Sequence, residues 1–287
     1  MHIKQVLIIC SLLAFFHVTH AQADKVSIER GRYLAETIVA CGNCHTPKAS
    51  DGQPIQSKKY AGGFLIEEPP FIAYAPNITM DIKTGIGNWS DEEIIKSIRE
   101  GIRPDGSIIG PPMPTMHYKD MSDNDVKSIV AYMRTLKPIN NAVPKSEYRM
   151  QLPPIWVDPV GYIADISTDD PAYPKYVAST LGHCDSCHTP RVKGKSQYHL
   201  VGLGGVPFVG IFGLNITTVS SNITPHPEYG IGKWSDEEIK IALTKGIRPD
   251  GRKLANAMGF TYYNNMHQRD LDALVRYMRK LKPLPEG

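Results

Sequence analysis

Apolar residues recur at helical spacing along several stretches of this chain, and polar residues or glycines mark the ends of those stretches. The first stretch runs from Val26 to Ala40 and leads directly into a cysteine. Two S-x-x-E capping boxes open further helices: Ser90 with Glu93, closed by Gly101, and Ser235 with Glu238, closed by Gly246. The pattern predicts a chain of short helices joined by loops.

A longer helix is expected near the end of each half of the chain. Ser122 with Asp125 opens the first of them. Its apolar stripe consists of Val126, Ile129, Val130, Met133 and Leu136, and the later one contains Leu271, Leu274, Val275 and Met278. We therefore predict a mainly α fold, in which these stripes form the wall of a buried core or pocket.

From Asn77 onward the sequence repeats itself at a distance of 145 residues, whereas Cys41 and Cys184, earlier in each copy, are 143 residues apart. Trp89 to Ile94 returns as Trp234 to Ile239, and Gly101 to Gly106 returns without change as Gly246 to Gly251. A repeat of this length corresponds to a whole domain rather than to one structural unit of a solenoid. We predict two tandem homologous domains, at residues 24–138 and 172–287.

Residues 139–171 lie between the repeats and contain Pro144, Pro153, Pro154, Pro159 and Pro171 without a helical period. This composition is typical of a linker. Trp156 and its apolar neighbours predict that the linker packs across the junction instead of swinging freely.

The pentapeptide from Cys41 to His45 reads C-G-N-C-H, and the one from Cys184 to His188 reads C-D-S-C-H. The C-x-x-C-H pattern is typical of a c-type haem attachment site. Two thiols three positions apart reach the two vinyl groups of one porphyrin, and the adjacent imidazole becomes the proximal ligand of the iron. We predict two covalently bound haems c, attached through Cys41, Cys44, Cys184 and Cys187 and ligated by His45 and His188.

A zinc knuckle and a redox dithiol also use C-x-x-C. A zinc site would consume all four cysteines in one cluster and would leave both histidines without a role. A dithiol motif needs neither the histidine nor a second copy, so haem attachment is favoured.

The first 23 residues have the features of a secretory signal peptide. Lys4 precedes an apolar run from Val6 to Phe16, and Ala21-Gln22-Ala23 supplies small residues for cleavage. Cleavage removes Cys10, so all four remaining cysteines lie in the two motifs. We expect a periplasmic protein without a transmembrane segment after cleavage, and attachment to a peripheral membrane complex stays open. With 32 basic against 29 acidic residues, the charge does not indicate nucleic acid binding.

A distal ligand is needed on the other side of each iron. Met113, Met116, His117 and Met121 all lie in the loop before the last helix of the first domain. Only Met113 keeps both a methionine partner, Met258, and a loop position in each copy. Met121 also has a counterpart, but it directly precedes the helix, where core packing is expected. We predict Met113 and Met258 as distal ligands.

Further motifs carry a resemblance to a known family, namely Ala61-Gly62-Gly63, Pro76-Asn77-Ile78-Thr79, Thr84 to Gly87 with Trp89-Ser90-Asp91, and Pro112-Met113-Pro114. Together with C-x-x-C-H, they resemble the cytochrome c subunits of bacterial membrane-bound alcohol and gluconate dehydrogenases. The resemblance implies a mainly α cytochrome c fold, His/Met ligation, and transfer of electrons from a periplasmic dehydrogenase toward a terminal oxidase. Those subunits have three haems, whereas this chain has two motifs, and Ala257 and Gly259 replace the prolines around Met258.

Several residues are candidates for supporting roles around the haems. Arg103 and Arg248 are predicted either to pair with haem propionates or to be exposed turn residues. Trp89, Trp234, Asn77 and Asn222 are expected mainly to pack beside the haem. The second nitrogen of each proximal histidine should donate to a backbone carbonyl, for which the candidates are Pro47, Pro190 and Pro54.

Three functions fit this sequence. The leading one is a dihaem electron carrier, not an enzyme, that works with a dehydrogenase donor and an oxidase or cytochrome acceptor. The second is a dihaem enzyme, such as a peroxidase or a thiosulfate-oxidising cytochrome, with one open distal site. The third is a haem-based sensor, for which the sequence offers no output module.

Overall fold

The computed structural model describes residues 26–214 and 216–285, so the predicted signal peptide with Cys10 lies outside the described residues. The helices are α1 (Ile28–Glu36), α2 (Cys41–His45), α3 (Asp91–Arg99), α4 (Thr115–Tyr118), α5 (Asp123–Met133), α6 (Tyr173–Lys175), α7 (Cys184–His188), α8 (Asp236–Lys245), α9 (Phe260–Tyr263) and α10 (Gln268–Lys280). A π-helix follows α6 at Tyr176–Leu181, and single 3-10 turns lie at Gln56–Lys58, Tyr198–Leu200 and Ile211–Gly213. None of the described helices is long and apolar enough to cross a membrane.

Helix accounts for 34% of the structure and strand for 11%, which agrees with a cytochrome c fold. The strands are β1 (Gly63–Glu68), β2 (Phe71–Ala75), β3 (Glu147–Tyr148), β4 (Arg191–Val192), β5 (Lys195–Ser196), β6 (Pro207–Val209) and β7 (Thr217–Val219). The order β1-β2-β3 forms one antiparallel sheet, and β4-β5 and β6-β7 are hairpins. The helical pattern did not predict these strands. In β2, burial of Phe71, Ala73 and Ala75 alternates with less buried residues, as expected for a half-buried strand.

The predicted capping boxes are present. The Ser90 hydroxyl accepts from the amide of Glu93 at 3.1 Å, and the Glu93 carboxylate accepts from the amide of Ser90 at 2.7 Å. Ser235 and Glu238 repeat both bonds at 3.2 and 2.7 Å. These bonds satisfy backbone donors that the first helical turn leaves free, which explains why both helices begin where the sequence indicates.

Helices α1 and α5 cross in close contact at Gly31. A Cβ atom at Gly31 would lie 1.8 Å from the carbonyl oxygen of Ser128, so only glycine fits at this crossing. The amide of Ser27 donates to the Ser128 hydroxyl at 3.1 Å and secures the start of α1 beside α5. Leu34 of α1 and Ile129 of α5 are fully buried next to this crossing. The first cysteine motif is therefore attached to a rigid helix pair.

The helices of residues 26–138, here called the N-terminal half, have counterparts in residues 172–285, the C-terminal half. α2, α3, α4 and α5 correspond to α7, α8, α9 and α10. The element before the motif differs, because α6 and the π-helix replace α1. In the π-helix the amide of Gly182 donates to the carbonyl of Val177 at 2.9 Å, a spacing of five residues.

Residues 139–171 lie against the N-terminal half. β3 pairs with β2, and the indole of Trp156 donates to the carbonyl of Ile109 at 2.7 Å. The backbone of Ile163 exchanges hydrogen bonds with Asp123, one to its carboxylate at 3.0 Å and one from its amide at 2.9 Å. These contacts are consistent with a segment that packs on the surface instead of moving freely.

Candidate functional site

Each C-x-x-C-H motif forms a short helix whose start is fixed by an unusual backbone conformation. Ala40 and His183 directly precede the first cysteine of each motif, and both are left-handed, with φ of 49° and 40°. This conformation turns the chain sharply from the preceding helix into α2 or α7. Since non-glycine residues rarely adopt it, its occurrence at the same place in both halves indicates a specific requirement for the turn.

Cys41, Cys44, Cys184 and Cys187 form no disulfide bonds with one another, and all four are half-buried. Burial raises the pKa of Cys41 to about 12, of Cys44 to about 11 and of Cys184 to about 12, and it also raises the pKa of Cys187. Burial thus disfavours the thiolate form of these cysteines. Within residues 26–214 and 216–285, no group of three or more His, Cys, Asp or Glu is arranged to hold a metal ion.

In each motif, one ring nitrogen of the histidine is held by a hydrogen bond to a backbone carbonyl. Nδ1 of His45 lies 2.8 Å from the carbonyl oxygen of Pro76, and Nδ1 of His188 lies 2.8 Å from that of Ser221. A carbonyl can only accept, so Nδ1 must carry the proton, and Nε2 keeps a free lone pair. Burial lowers the pKa of both rings, which favours the neutral form that ligates iron. In each ring Nε2 is therefore the nitrogen that could bind a metal ion.

The carbonyls that hold the histidines are not those the sequence suggested. Pro47 and Pro190 accept instead from the amides of Ile55 and Gln197 in their own loops, at 2.9 and 2.8 Å. Pro54 forms a bridge with Lys48 in the first of these loops. The true acceptors are Pro76 and Ser221. They occupy equivalent positions, 145 residues apart, directly before the repeated Asn-Ile-Thr.

The Asn-Ile-Thr repeat explains how that carbonyl is fixed. The side-chain oxygen of Asn77 accepts from the amide and the hydroxyl of Thr79 at 3.0 and 2.8 Å, and its nitrogen donates to the carbonyl of Ile139 at 2.7 Å. Asn222 makes the same bonds to Thr224, at 2.9 and 2.7 Å, and donates to Leu284 at 2.8 Å. The asparagine side chains are therefore used to shape the loop behind the histidine.

A large cavity lies beside the second motif and reaches Cys44 of the first. Its volume is about 990 Å³, at the upper end of the range for cofactor pockets. Cys44 and Met113 of the N-terminal half line it together with Cys184, Cys187, His188 and Met258 of the C-terminal half. The predicted attachment and ligand residues of the second motif thus share one apolar space, walled by Trp234, Leu274 and Met278 among others.

The methionines occupy the two kinds of position that the repeat suggested. Met258 is partly buried and lines the cavity together with His188, which fits a distal ligand of the second haem. Met113 is also partly buried and lines this cavity, but His45 and Cys41 do not line it, so Met113 as the ligand of the first haem stays a prediction. Met121 and Met266 are buried in the core, as expected for residues that precede the last helices. Met116 is 46% exposed.

The two repeated arginines have different surroundings. The Arg103 guanidinium donates to the carbonyl of Ile108 at 2.9 Å and to the Ser107 hydroxyl at 3.2 Å, inside its own turn. Arg248 lines the cavity, stacks over the Trp234 ring at 5.3 Å and has a buried Nε without a hydrogen-bond partner. This Nε lies 3.8 Å from the Asp250 carboxylate, beyond hydrogen-bond distance, and its free N–H fits a carboxylate such as a haem propionate.

Comparisons with known proteins agree with this chemistry. Residues 26–133 match the family model described as cytochrome c oxidase, cbb3-type, subunit III. The chain is 31% identical to the cytochrome c subunit of a quinone alcohol dehydrogenase from Gluconobacter oxydans, over 95% of this chain and 58% of that protein. The resemblance to dehydrogenase cytochrome c subunits is confirmed.

Two other relatives place this resemblance in context. The fructose dehydrogenase cytochrome subunit of Gluconobacter japonicus is 32% identical, over 94% of this chain and 55% of that protein. A diheme cytochrome c-type protein of Cereibacter sphaeroides is 24% identical, over 84% of this chain and 81% of its own length. The chain therefore spans little more than half the length of the two dehydrogenase subunits.

Proposed function

We propose that this chain is a dihaem c-type cytochrome of the periplasm that carries electrons between a dehydrogenase and a terminal acceptor or oxidase. Residues 1–23 are its signal peptide, residues 24–138 and 172–287 are its two cytochrome c domains, and residues 139–171 are the linker. Cys41 and Cys44 attach one haem c, and Cys184 and Cys187 attach the other.

The observation that carries this proposal is that His45 and His188 make the same hydrogen bond in the two halves. In both halves a histidine next to a cysteine pair donates through Nδ1 to a fixed carbonyl at 2.8 Å, with the second nitrogen free. A dithiol would not need this arrangement. A zinc-binding histidine is held in the same way, but no group of three or more His, Cys, Asp or Glu in residues 26–214 and 216–285 is arranged to hold zinc. The bound haem would accept and release single electrons, and the chain's residues would set its ligation and its surroundings.

The distal side distinguishes a carrier from an enzyme. Met258 lies in the wall of the cavity that His188 also lines, and Met113, its counterpart in the repeat, lies in the wall of the same cavity. As distal ligands the two methionines would leave neither iron open to peroxide or another substrate. The relatives are named as cytochrome c subunits of dehydrogenases, which supports the expectation of an electron-transfer protein and not of an enzyme. By analogy with them, a dehydrogenase is the proposed donor.

Absorption spectroscopy of the purified protein tests this function. Oxidised and reduced spectra should show two low-spin haems with a methionine-to-iron charge-transfer band and no binding of carbon monoxide. Met113→Ala and Met258→Ala should each convert one haem to high spin. Met116 also lines the cavity and is the competing candidate, and Met116→Ala should leave both spectra unchanged. A haem that is high-spin in the wild type, or that reacts rapidly with peroxide, would support the dihaem enzyme instead.

A further inference from the structure

The interface between the two halves contains a pair of reciprocal contacts. The Tyr33 hydroxyl, on α1 of the N-terminal half, donates to the carboxylate of Asp270 on α10. The Tyr176 hydroxyl, at the start of the π-helix in the C-terminal half, donates to the carboxylate of Asp125 on α5 at 2.7 Å. Each half therefore contributes one tyrosine that donates to an aspartate of the other half.

The backbone completes both contacts in the same way. The Tyr33 hydroxyl accepts from the amide of His267 at 3.1 Å, and the Tyr176 hydroxyl accepts from the amide of Ser122 at 3.1 Å. His267 and Ser122 are the N-caps of α10 and α5, and each aspartate is the third residue of its helix. In an ordinary capping box the third residue binds the N-cap amide itself. Here a tyrosine from the other half bridges the two groups.

The contacts follow the sequence repeat. Tyr33 and Tyr176 each lie eight residues before the first cysteine of a motif, and Asp125 and Asp270 are 145 residues apart. The interface is thus isologous, in the sense used for twofold-symmetric dimers, but both partners belong to one chain. Tyr33 also stacks on the His267 ring, with centroids 4.0 Å apart and an interplanar angle of 12°.

Each aspartate receives a second donor from its own half, and burial makes these bonds costly to lose. Asp125 is 4% exposed and is held by the Arg30 guanidinium at 2.8 and 3.0 Å. Asp270 is 2% exposed and accepts from the Tyr173 hydroxyl at 2.5 Å. A buried carboxylate with a fixed set of donors has little freedom to move. The two contacts therefore fix α1 against α10 and the π-helix against α5.

Two further contacts bring a side chain of each half close to the attachment motif of the other half. The Tyr262 hydroxyl of α9 would lie 2.8 Å from a Cβ at Gly42 in the first motif. In the opposite direction, the ring of Tyr118 in α4 packs edge-on against His183, directly before the second motif, with centroids 5.9 Å apart. Any movement at the interface would therefore shift one motif relative to the other.

We propose that the Tyr33–Asp270 and Tyr176–Asp125 contacts are positioning devices that hold the two haem attachment helices at a fixed separation and so control electron transfer between the halves. This inference rests on the proposed dihaem function. Because electron transfer between redox centres depends steeply on their separation, a loosened interface would slow it even if neither haem site changed.

Tyr33→Phe and Tyr176→Phe, singly and together, test the proposal, because phenylalanine keeps the ring and removes only the hydroxyl. The double variant should give a broader distribution of iron–iron distances by pulsed electron paramagnetic resonance and several-fold slower intramolecular electron transfer after photoreduction. The absorption spectrum of each haem should stay the same. Hydrogen exchange should become faster at the amides of Ser122 and His267, and the two single variants should have effects of similar size.

Tyr132→Phe is the matched control, since its hydroxyl donates to the Glu36 carboxylate within one half. It should leave the distance distribution and the transfer rate unchanged. The inference is wrong if the double variant behaves like the wild type, or if Tyr132→Phe slows transfer equally. If the double variant does not fold, the single variants decide. Failure of the proposed function can be told apart from failure of this inference. In that case the wild type would lack two low-spin haems, whereas hydrogen exchange would still show whether the tyrosine contacts hold the two halves together.

Discussion

Asn77→Ala should destabilise the protein strongly, because one small side chain holds the loop behind His45. Asn77 is 2% exposed and takes part in four hydrogen bonds, with the Thr79 amide, the Thr79 hydroxyl, the Ile139 carbonyl and the Thr84 hydroxyl. At a net contribution of about 1 kcal/mol for each bond, the variant should lose roughly 3–4 kcal/mol of unfolding free energy. Urea unfolding followed by circular dichroism measures this loss, with the slope m as a check on the two-state transition.

Asn88→Ala is the control, because Asn88 is exposed and makes a single bond of 3.3 Å to the Ile82 carbonyl. Its loss should be below about 0.5 kcal/mol, as for surface substitutions in general. A loss below about 1 kcal/mol in Asn77→Ala would refute the role that we assign to this side chain.

The same variant should also change the first haem selectively. A looser Pro76 carbonyl weakens the Nδ1 hydrogen bond of His45, makes the ring a poorer electron donor to iron and raises the reduction potential. Asn222→Ala should do this to the second haem only. Spectroelectrochemical titration separates the two haems, and equal shifts of both potentials in either variant would contradict the assignment.

Three further predictions concern single sites. Gly31→Ala should lower the unfolding free energy by several kcal/mol, at least about 3, because its Cβ would lie 1.8 Å from the Ser128 carbonyl oxygen. Gly161→Ala, whose Cβ would have nothing within 4 Å, should be near neutral in the same urea assay, and similar losses in both variants would refute the close contact between α1 and α5. Burial lowers the pKa of His183 to about 4, below the value near 6.5 of an unfolded chain, so only the unfolded state gains this proton as the pH falls from about 6.5 to 4. The folded protein therefore loses stability as the pH falls from about 6.5 to 4. Asparagine tolerates the left-handed backbone, so His183→Asn should remove up to about 3 kcal/mol of this loss, as measured by melting curves at each pH. An unchanged pH profile in the variant would exclude His183 as the cause. Arg248→Gln should lower the reduction potential of the second haem, because it removes a positive charge that favours the reduced state. Arg103→Gln should leave the potential of the first haem nearly unchanged. Equal shifts in the two variants would refute the different roles of the two arginines.

Local signals predicted the helices well because they depend on neighbouring residues. The capping boxes at Ser90 and Ser235 have both partners within four residues, and the structure shows the expected bonds. The strands β1 and β2 were missed, although Pro69-Pro70 separates two apolar runs there, since short apolar runs do not by themselves distinguish strand from helix.

The partners of the histidines were harder to predict. A carbonyl acceptor has no side-chain signature, and Pro76 and Ser221 lie 31 and 33 residues after the histidines they bind. The sequence feature that marks these acceptors is the repeated Asn-Ile-Thr, which indicates a loop with a fixed shape. From the sequence alone, its asparagines are expected to pack near the haem. Only the hydrogen bonds in the structure show that they fix the preceding carbonyl.

The interface between the halves lay beyond sequence reasoning for a different reason. Tyr33 and Tyr176 are 143 residues apart, like the two cysteine motifs, and the aspartates are 145 apart, so the repeat aligns tyrosine with tyrosine and aspartate with aspartate. It does not show that each tyrosine binds the aspartate of the other half. Each tyrosine also fits the apolar face of its own helix. The reciprocal pairing depends on how the halves pack, and no local pattern encodes that.

The central claim is that each C-x-x-C-H motif carries one covalently bound haem. Intact-protein mass spectrometry combined with haem quantification tests it on the protein exported by a host that attaches haem c. The account predicts two haems for each chain, and one remaining haem, still low-spin, when Cys184 and Cys187 are both replaced by serine. A wild-type chain with one haem, or with a bound metal in place of the second, would contradict it.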